Sequence, residues 1–240
     1  MSFLRSERTQ GAYYHAGLRD YLAKVYSYMA LALGITGIVA LFVVYSDLHM
    51  VISSNPLLAF VVTLSPIILV FSIYYNLVHL SMQAIIAMFL LYSVLMGASL
   101  SHVFLIYTSE NIARAFFITS IMFGSMALYG NNTKRDLTSA GSFLIMGIWG
   151  IIIASLVNLF IGSSALYFAI SLVSVIVFTL MTAYDAQKIK DIYYRYNDGS
   201  EVASTKLAIL GALSLYLNFI NIFLNLLRLL HISALSNNRD

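Results

Sequence analysis

Long stretches of this chain carry no charge, and this feature constrains its fold more than any other. No Asp, Glu, Lys or Arg lies between Asp136 and Asp185. Residues 25–133 contain only three charged side chains, those of Asp47, Glu110 and Arg114. Charged residues make up 10% of the whole chain, against about 25% in ordinary soluble proteins. Because a helix needs about 20 apolar residues to cross the hydrocarbon core, we expect an all-α integral membrane protein.

The apolar runs and the turn residues between them predict seven transmembrane helices. These cover residues 26–45, 57–75, 82–105, 112–129, 142–161, 165–184 and 207–230. A cytoplasmic segment 1–25, a transmembrane domain 26–232 and a short tail 233–240 follow from this division. Pro66 is expected to kink the second span unless neighbouring helices satisfy the carbonyl that it frees. Six spans with one re-entrant segment are the alternative.

The basic residues predict how the chain is oriented in the membrane. They cluster before the first span, after the fourth and after the sixth, at Arg5, Arg8, Arg19, Lys24, Lys134, Arg135, Lys188, Lys190, Arg195 and Lys206. Because cytoplasmic loops carry an excess of Lys and Arg, the N-terminus is expected in the cytoplasm and the C-terminus on the other side. The net charge of +3 therefore reports topology and gives no reason to expect nucleic-acid binding.

Small and polar residues recur along one face of the last span. They lie three or four positions apart, as Gly211, Ser214, Asn218, Asn221, Asn225 and Arg228. On a helix this spacing forms one stripe among Leu, Ile and Phe. Such stripes are ordinary packing contacts between membrane helices, and taken alone this interpretation is favoured over an ion path.

Asp185 ends the longest uncharged stretch and is the strongest candidate for a functional residue. A carboxylate inside a membrane is costly unless it meets water, a cation or a polar partner. The alternative is an interfacial residue at the end of its helix, paired with Lys188 one turn further on. The asparagine stripe of the next span favours the functional interpretation, because it offers a polar face that Asp185 can contact.

The sequence gives little support for an enzyme. The five histidines are scattered, and no two have the spacing of a metal-binding helix motif. Cysteine is absent, so neither a thiolate nucleophile nor a cysteine metal site is available. Ser99 and His102 share one helix face, where ordinary contact is more common than catalysis. We therefore expect a non-enzymatic protein without a cofactor or a bound metal.

Several short motifs resemble the Bax inhibitor family of membrane proteins, and the resemblance extends from about residue 21 to residue 230. The sequences of these motifs are most similar to those of bacterial members from Gram-negative inner membranes. The motifs are Ala183-Tyr184-Asp185-Ala186-Gln187-Lys188-Ile189-Lys190, the run from Gly211 to Asn221, Tyr107-Thr108, Tyr129-Gly130, Thr133-Lys134-Arg135-Asp136-Leu137 and Ala154-Ser155-Leu156-Val157-Asn158.

This resemblance implies a seven-helix fold with the last helix at the centre of the bundle. It also implies a pH-sensitive calcium leak, known in some members, and stress or cell-death regulation in eukaryotic ones. Certain Gram-negative relatives bind and restrain a membrane-anchored quality-control protease. The partners implied are the lipid bilayer, calcium ions and such a protease.

The chain departs from the family pattern at the pH sensor, which is a pair of aspartates on the last two long helices. The first maps onto Asp185, whereas the second maps onto Asn218. In leak-forming relatives an arginine of the second helix also approaches the first aspartate, but residues 57–75 contain no charged side chain. Asn131 and Asn132 replace the more usual aromatic residue and threonine.

The amide at position 218 has a physical consequence. Two carboxyls that share a site cannot both ionise cheaply, and they titrate as a unit. An asparagine imitates the protonated member of such a pair permanently. We therefore expect a pH-sensitive calcium leak with a weakened sensor at Asp185 and Asn218, while Ser214, Asn221 and Asn225 line the stripe. The alternative is a non-conducting regulator of a membrane protease or of a stress response.

Overall fold

The structure is a computed structural model that describes the backbone of residues 2–77, 79–196 and 200–237. Side chains are described for residues 17–77, 79–196 and 200–232. These parts of the chain form nine helices and no strand. The helices are α1 (Ser2–Tyr45), α2 (Leu48–Ser54), α3 (Pro56–Asn76), α4 (Met82–Leu100), α5 (Val103–Ile106), α6 (Ser109–Asn132), α7 (Thr138–Ile161), α8 (Ser164–Tyr196) and α9 (Glu201–Asn237).

Seven helical segments of the described chain are long and apolar enough to cross a membrane, which confirms the predicted number of spans. They are Gly17–Tyr45, Pro56–Asn76, Met82–Ile106, Ser109–Asn132, Thr138–Ile161, Ser164–Tyr196 and Glu201–Ile232. Several of them are longer than the apolar runs alone predicted. The largest difference is at α8, which continues to Tyr196 and so carries polar residues within a continuous helix.

The proline in α3 does not break the helix. α3 runs without interruption from Pro56 to Asn76 with Pro66 buried inside it. Proline lacks the N–H that would bind the carbonyl four residues earlier. The Ser65 hydroxyl donates to that carbonyl, on Val62, at 3.0 Å. The freed group is thus satisfied from within α3, whereas the sequence had pointed to neighbouring helices.

α9 packs against α8, α1, α6 and α4. In its most apolar stretch 61% of the residues are buried, compared with 6% in the corresponding stretch of α7. α7 instead turns large apolar side chains outward, among them Phe143, Trp149 and Phe160, as expected of a helix that faces lipid. That α9 lies at the centre of the bundle stays a prediction, but its neighbours leave it little contact with lipid.

Close approach of α6 to α8 depends on a glycine. A side chain at Gly130 would collide with the backbone carbonyl group of Ala183. This contact lies two residues before Asp185 along α8. The Tyr129-Gly130 motif therefore fixes the distance between α6 and the part of α8 that carries the aspartate.

Candidate functional site

Asp185 lies inside α8, well before the end of the helix. Only 4% of the residue is exposed, and α8 continues beyond it to Tyr196. The expected position of Asp185 at a helix end is therefore wrong. The sequence suggested it because Lys188 and Lys190 follow so closely, but these charges lie on the continuing helix.

Two side chains of α9 hold the carboxylate. Asp185 Oδ2 accepts a hydrogen bond from Ser214 Oγ at 2.8 Å and another from Asn218 Nδ2 at 2.7 Å. Ser214 and Asn218 are four residues apart, so they lie on one face of the helix. Hydrogen bonds to an ionised group are about twice as strong as neutral ones. They replace the water that a carboxylate loses when it is buried.

Lys188 is not the partner of this carboxylate. Among the residues whose side chains are described, Asp185 forms no salt bridge. The Lys188 ammonium group instead lies 5.6 Å from the centre of the Tyr184 ring, and its side chain is exposed. The carboxylate therefore accepts hydrogen bonds only from neutral donors, and the charge of Lys188 acts on it from a distance.

The outer part of the stripe has a different role. Asn221 Nδ2 donates to the Leu217 carbonyl and Asn225 Nδ2 to the Asn221 carbonyl, each at 2.8 Å. These bonds stay within α9 and do not bind a neighbouring helix. Of the five site residues expected from the sequence, the structure brings together Asp185, Ser214 and Asn218, and it leaves Asn221 and Asn225 apart from them.

Tyr74 is a member of the site that the sequence did not reveal. Its hydroxyl, on α3, lies near the Ser214 side chain and Asp185. α3 therefore reaches the site through a phenol, although it carries no arginine. A search for charged residues in the second span could not find this contact. The position of Tyr74, close to the end of α3 that lies on the same side as the basic loops, was the only available signal.

A second polar network supports α8 from the side of α6. Gln187 Oε1 accepts the Leu137 N–H and its Nε2 donates to the Arg135 carbonyl, each at 2.8 Å. Asn131 Nδ2 donates to the Tyr26 hydroxyl at 2.7 Å, and Lys190 Nζ donates to the Asn131 carbonyl at 2.5 Å. The unusual asparagine at position 131 thus joins α6 to α1.

A neutral polar contact lies on another side of α9. Thr36 Oγ1 donates to the Ser93 carbonyl at 3.0 Å and lies 2.8 Å from the Tyr216 hydroxyl. Because the single Thr36 proton goes to Ser93, the Tyr216 hydroxyl must be the donor in the second bond. This contact joins α1, α4 and α9 without any ionisable carboxyl group.

Asp185 has little access to solvent in the structure. Four pockets stand out in the described part of the chain, and Asp185 lines none of them. The most apolar is a cavity of about 420 Å³ between α1, α6 and α9, lined by side chains such as Leu33, Ile112, Phe116 and Phe223. Its lining is mainly apolar, with side-chain hydroxyls from Thr36 and Ser109. Both donors of the carboxylate lie on α9, so separation of α8 and α9 would expose it.

Seven membrane-spanning helices with a carboxylate buried between the last two define a class of polytopic membrane proteins with an intramembrane polar contact. Comparison with known proteins places the chain more closely. The model of the family described as "Inhibitor of apoptosis-promoting Bax1" matches residues 18–235. The chain belongs to this family, which confirms the resemblance seen in its motifs.

Similar proteins come from distant bacteria. An uncharacterised protein of Rickettsia prowazekii, RP147, is 44% identical over 226 residues, covering 93% of this chain and 92% of the relative. The inner membrane protein YbhL of Escherichia coli is 41% identical over 215 residues, covering 89% and 92%. An uncharacterised membrane protein of Streptococcus pyogenes is 33% identical over 220 residues, covering 89% and 93%. Each match spans nearly the whole of both chains.

Proposed function

We propose that this protein lets cations, chiefly calcium, leak across the bacterial inner membrane, and that the contact of Asp185 with Ser214 and Asn218 is its gate. The observation that carries the proposal is a carboxylate with 4% exposure whose two donors both belong to the neighbouring helix. The membrane is assigned by analogy with YbhL, which is named as an inner membrane protein. The N-terminus is placed in the cytoplasm by the distribution of basic residues.

Opening would exchange the ligands of the carboxylate. While α8 and α9 are in contact, the Ser214 hydroxyl and the Asn218 amide occupy Oδ2. If the helices separate, the buried charge loses both donors and requires water or a cation in their place. Calcium prefers carboxylate, carbonyl and water oxygens as ligands. A cation arriving at the parted helices would thus stabilise the open form.

The amide at position 218 would make this gate less sensitive to pH. Asparagine donates through Nδ2 and accepts through Oδ1. It can therefore bind ionised Asp185 through Nδ2 and, after its amide group flips, protonated Asp185 through Oδ1. Two carboxyls in the same place would have to share a proton, and their contact would be lost on full ionisation. We therefore expect a smaller leak and a weaker pH dependence near neutrality than in a relative with the aspartate pair.

Calcium flux into liposomes tests the proposal. The wild type, Asn218→Asp and Asp185→Ala are compared at several pH values, with Asp136→Asn as a control outside the membrane. We expect a steeper pH profile in Asn218→Asp, no pH response in Asp185→Ala and an unchanged profile in the control. An Asn218→Asp protein with the wild-type profile would contradict the proposed sensor.

The alternative is a regulator that conducts nothing and binds a membrane-anchored quality-control protease or modulates a stress response. It is favoured by the lack of a route to Asp185 among the four pockets and by the missing second aspartate. Neither form of the proposal involves catalysis. Capture of a membrane protease by both wild type and Asp185→Ala, together with calcium flux no higher than in empty liposomes, would establish the alternative.

A further inference from the structure

Two histidines that are far apart in the sequence line one pocket. The pocket, of about 210 Å³, lies between α2, the first half of α3 and the end of α4. His49 belongs to α2, and His102 lies between α4 and α5. Ser53, Thr63 and Ser99 add oxygen atoms to the lining. These elements lie at the end of the bundle opposite the basic loops.

The tautomer of His102 follows from its hydrogen bond. His102 Nδ1 lies 2.7 Å from the Ser99 carbonyl oxygen. Because a carbonyl only accepts, the proton of the neutral ring must be on Nδ1, and Nε2 then carries a free lone pair. His102 is exposed, so this lone pair is accessible. Metal-binding histidines are commonly oriented by such a bond from the other ring nitrogen to a backbone carbonyl.

His49 is limited to the same nitrogen for a different reason. Its Nδ1 is buried and has no hydrogen-bond partner in the described part of the chain. The ring is half-buried and lines the pocket, so a ligand can reach it through Nε2, and the proton of the neutral ring is then on Nδ1. Buried polar atoms without a partner are uncommon in proteins. Here the unpaired atom marks a ring whose position is not explained by local hydrogen bonding.

We propose that His49 and His102 bind one divalent transition-metal ion of the zinc, copper or nickel type through their Nε2 atoms. Neutral imidazole suits these ions, whereas calcium and magnesium prefer oxygen ligands. The described residues bring no third histidine or carboxylate to this centre, so hydroxyl oxygens and water complete the coordination. The site is separate from Asp185 and does not depend on the proposed leak.

Copper and zinc titrations of protein without a histidine tag test this site. Cu²⁺ binding is followed by electron paramagnetic resonance, in which coordinated nitrogen splits the signal, and Zn²⁺ affinity by calorimetry. We expect one saturable site per chain. His49→Ala and His102→Ala should each weaken binding about tenfold or more and remove part of the nitrogen splitting. His79→Ala, which changes a histidine outside the pocket, should bind as the wild type does.

The variants are also checked for folding. Zn²⁺ should raise the melting temperature of the wild type and of His79→Ala but not of His49→Gln or His102→Gln, whose melting temperatures without metal should match the wild type. The absence of a saturable site would overturn the proposal. Unchanged affinity in both His49→Ala and His102→Ala would overturn it equally.

Discussion

The structure holds two aspartates with the same kinds of donor in opposite surroundings. Asp136, in the loop between α6 and α7, accepts the Thr138 N–H at 2.9 Å and also hydrogen-bonds to the Thr138 hydroxyl. Asp185 accepts a serine hydroxyl and an amide N–H. Asp136 is exposed to solvent, whereas Asp185 is buried between α8 and α9. Because the two aspartates have the same types of donor, the difference between them lies in their surroundings.

Only Asp185 has the surroundings that the proposed gate requires. The donors of Asp136 are local, and water replaces them at little cost if they leave. The donors of Asp185 belong to another helix, and the burial of the carboxylate keeps solvent from replacing them easily. Binding the carboxylate and holding α8 against α9 are therefore one event at Asp185. At Asp136 the same bonds only shape the start of α7.

Removing the amide should give the largest effect. Asn218→Leu leaves the buried carboxylate with one donor and is expected to lower the free energy of unfolding by about 2–3 kcal/mol, since bonds to charged groups contribute this much. Thermal and denaturant unfolding in detergent measure the loss. Thr138→Val is the matched change at Asp136, and it should have little effect because water can take the place of the hydroxyl.

The same variant allows a decisive double-mutant cycle. Replacing both partners of a buried polar contact by apolar groups can be nearly neutral. Asp185→Leu combined with Asn218→Leu should therefore be more stable than Asn218→Leu alone. Additive losses in the cycle would mean that Asp185 and Asn218 do not stabilise each other, and the contrast with Asp136 would disappear.

Much of this arrangement could be predicted from the sequence. The uncharged runs predicted the seven spans, because a helix must match the membrane thickness. The resemblance to the family paired Asp185 with position 218. Periodicity alone placed Asn218, Asn221 and Asn225 on one stripe, but it could not distinguish a contact between helices from bonds along a single helix.

Other contacts depend on tertiary packing and could not be predicted. Tyr74 reaches Ser214 only because α3 approaches α9 at that level. α8 continues past Tyr184 because the bundle packs around residues such as Ile189 and Tyr193, both buried. His49 and His102 share a pocket only because α2 folds back toward the end of α4. Single-sequence patterns carry no information about such distances.

The approach of α6 to α8 should give the next largest effect. Gly130→Ala places a methyl group against the Ala183 carbonyl, which forces the helices apart and is expected to cost about 2 kcal/mol of stability. Gly124→Ala is the control on the same helix, since a side chain there meets nothing within 4 Å. The control should be neutral or stabilising by about 0.5–1 kcal/mol.

The contact at Gly130 is also expected to affect the burial of Asp185. If the contact at Gly130 keeps Asp185 buried, Gly130→Ala should increase calcium flux, and neither Gly124→Ala nor Asp136→Asn should do so. Equal stability of the two glycine variants would show that the close contact with Ala183 is not required for folding.

The phenol on α3 should give a smaller effect. Tyr74→Phe removes the hydroxyl that lies near Ser214 and Asp185, and we expect a loss no larger than one neutral hydrogen bond, about 1 kcal/mol. Tyr75→Phe is the control because Tyr75 is its chain neighbour and is 87% exposed. Unfolding experiments on the two variants measure the difference. A loss in Tyr75→Phe as large as that in Tyr74→Phe would remove α3 from the site.

The smallest effect on stability is expected at Asp136, and its direction follows from how stability depends on pH. The hydrogen bonds from Thr138 lower the pKa of Asp136 below its usual value. A carboxyl whose pKa is lowered in the folded state contributes stability above the unfolded pKa, about 3.9, and that stability is lost as the pH falls through the folded value. Above about pH 4, the free energy of unfolding of Asp136→Asn should therefore be slightly lower than that of the wild type. At lower pH the two values should converge. Melting curves between pH 3 and pH 7 measure this, and because Asp136 is fully exposed, salt should weaken the difference. A large, salt-independent effect at Asp136 would show that solvent exposure does not explain the difference between the two aspartates. The burial of Asp185 would then no longer support the proposed gate.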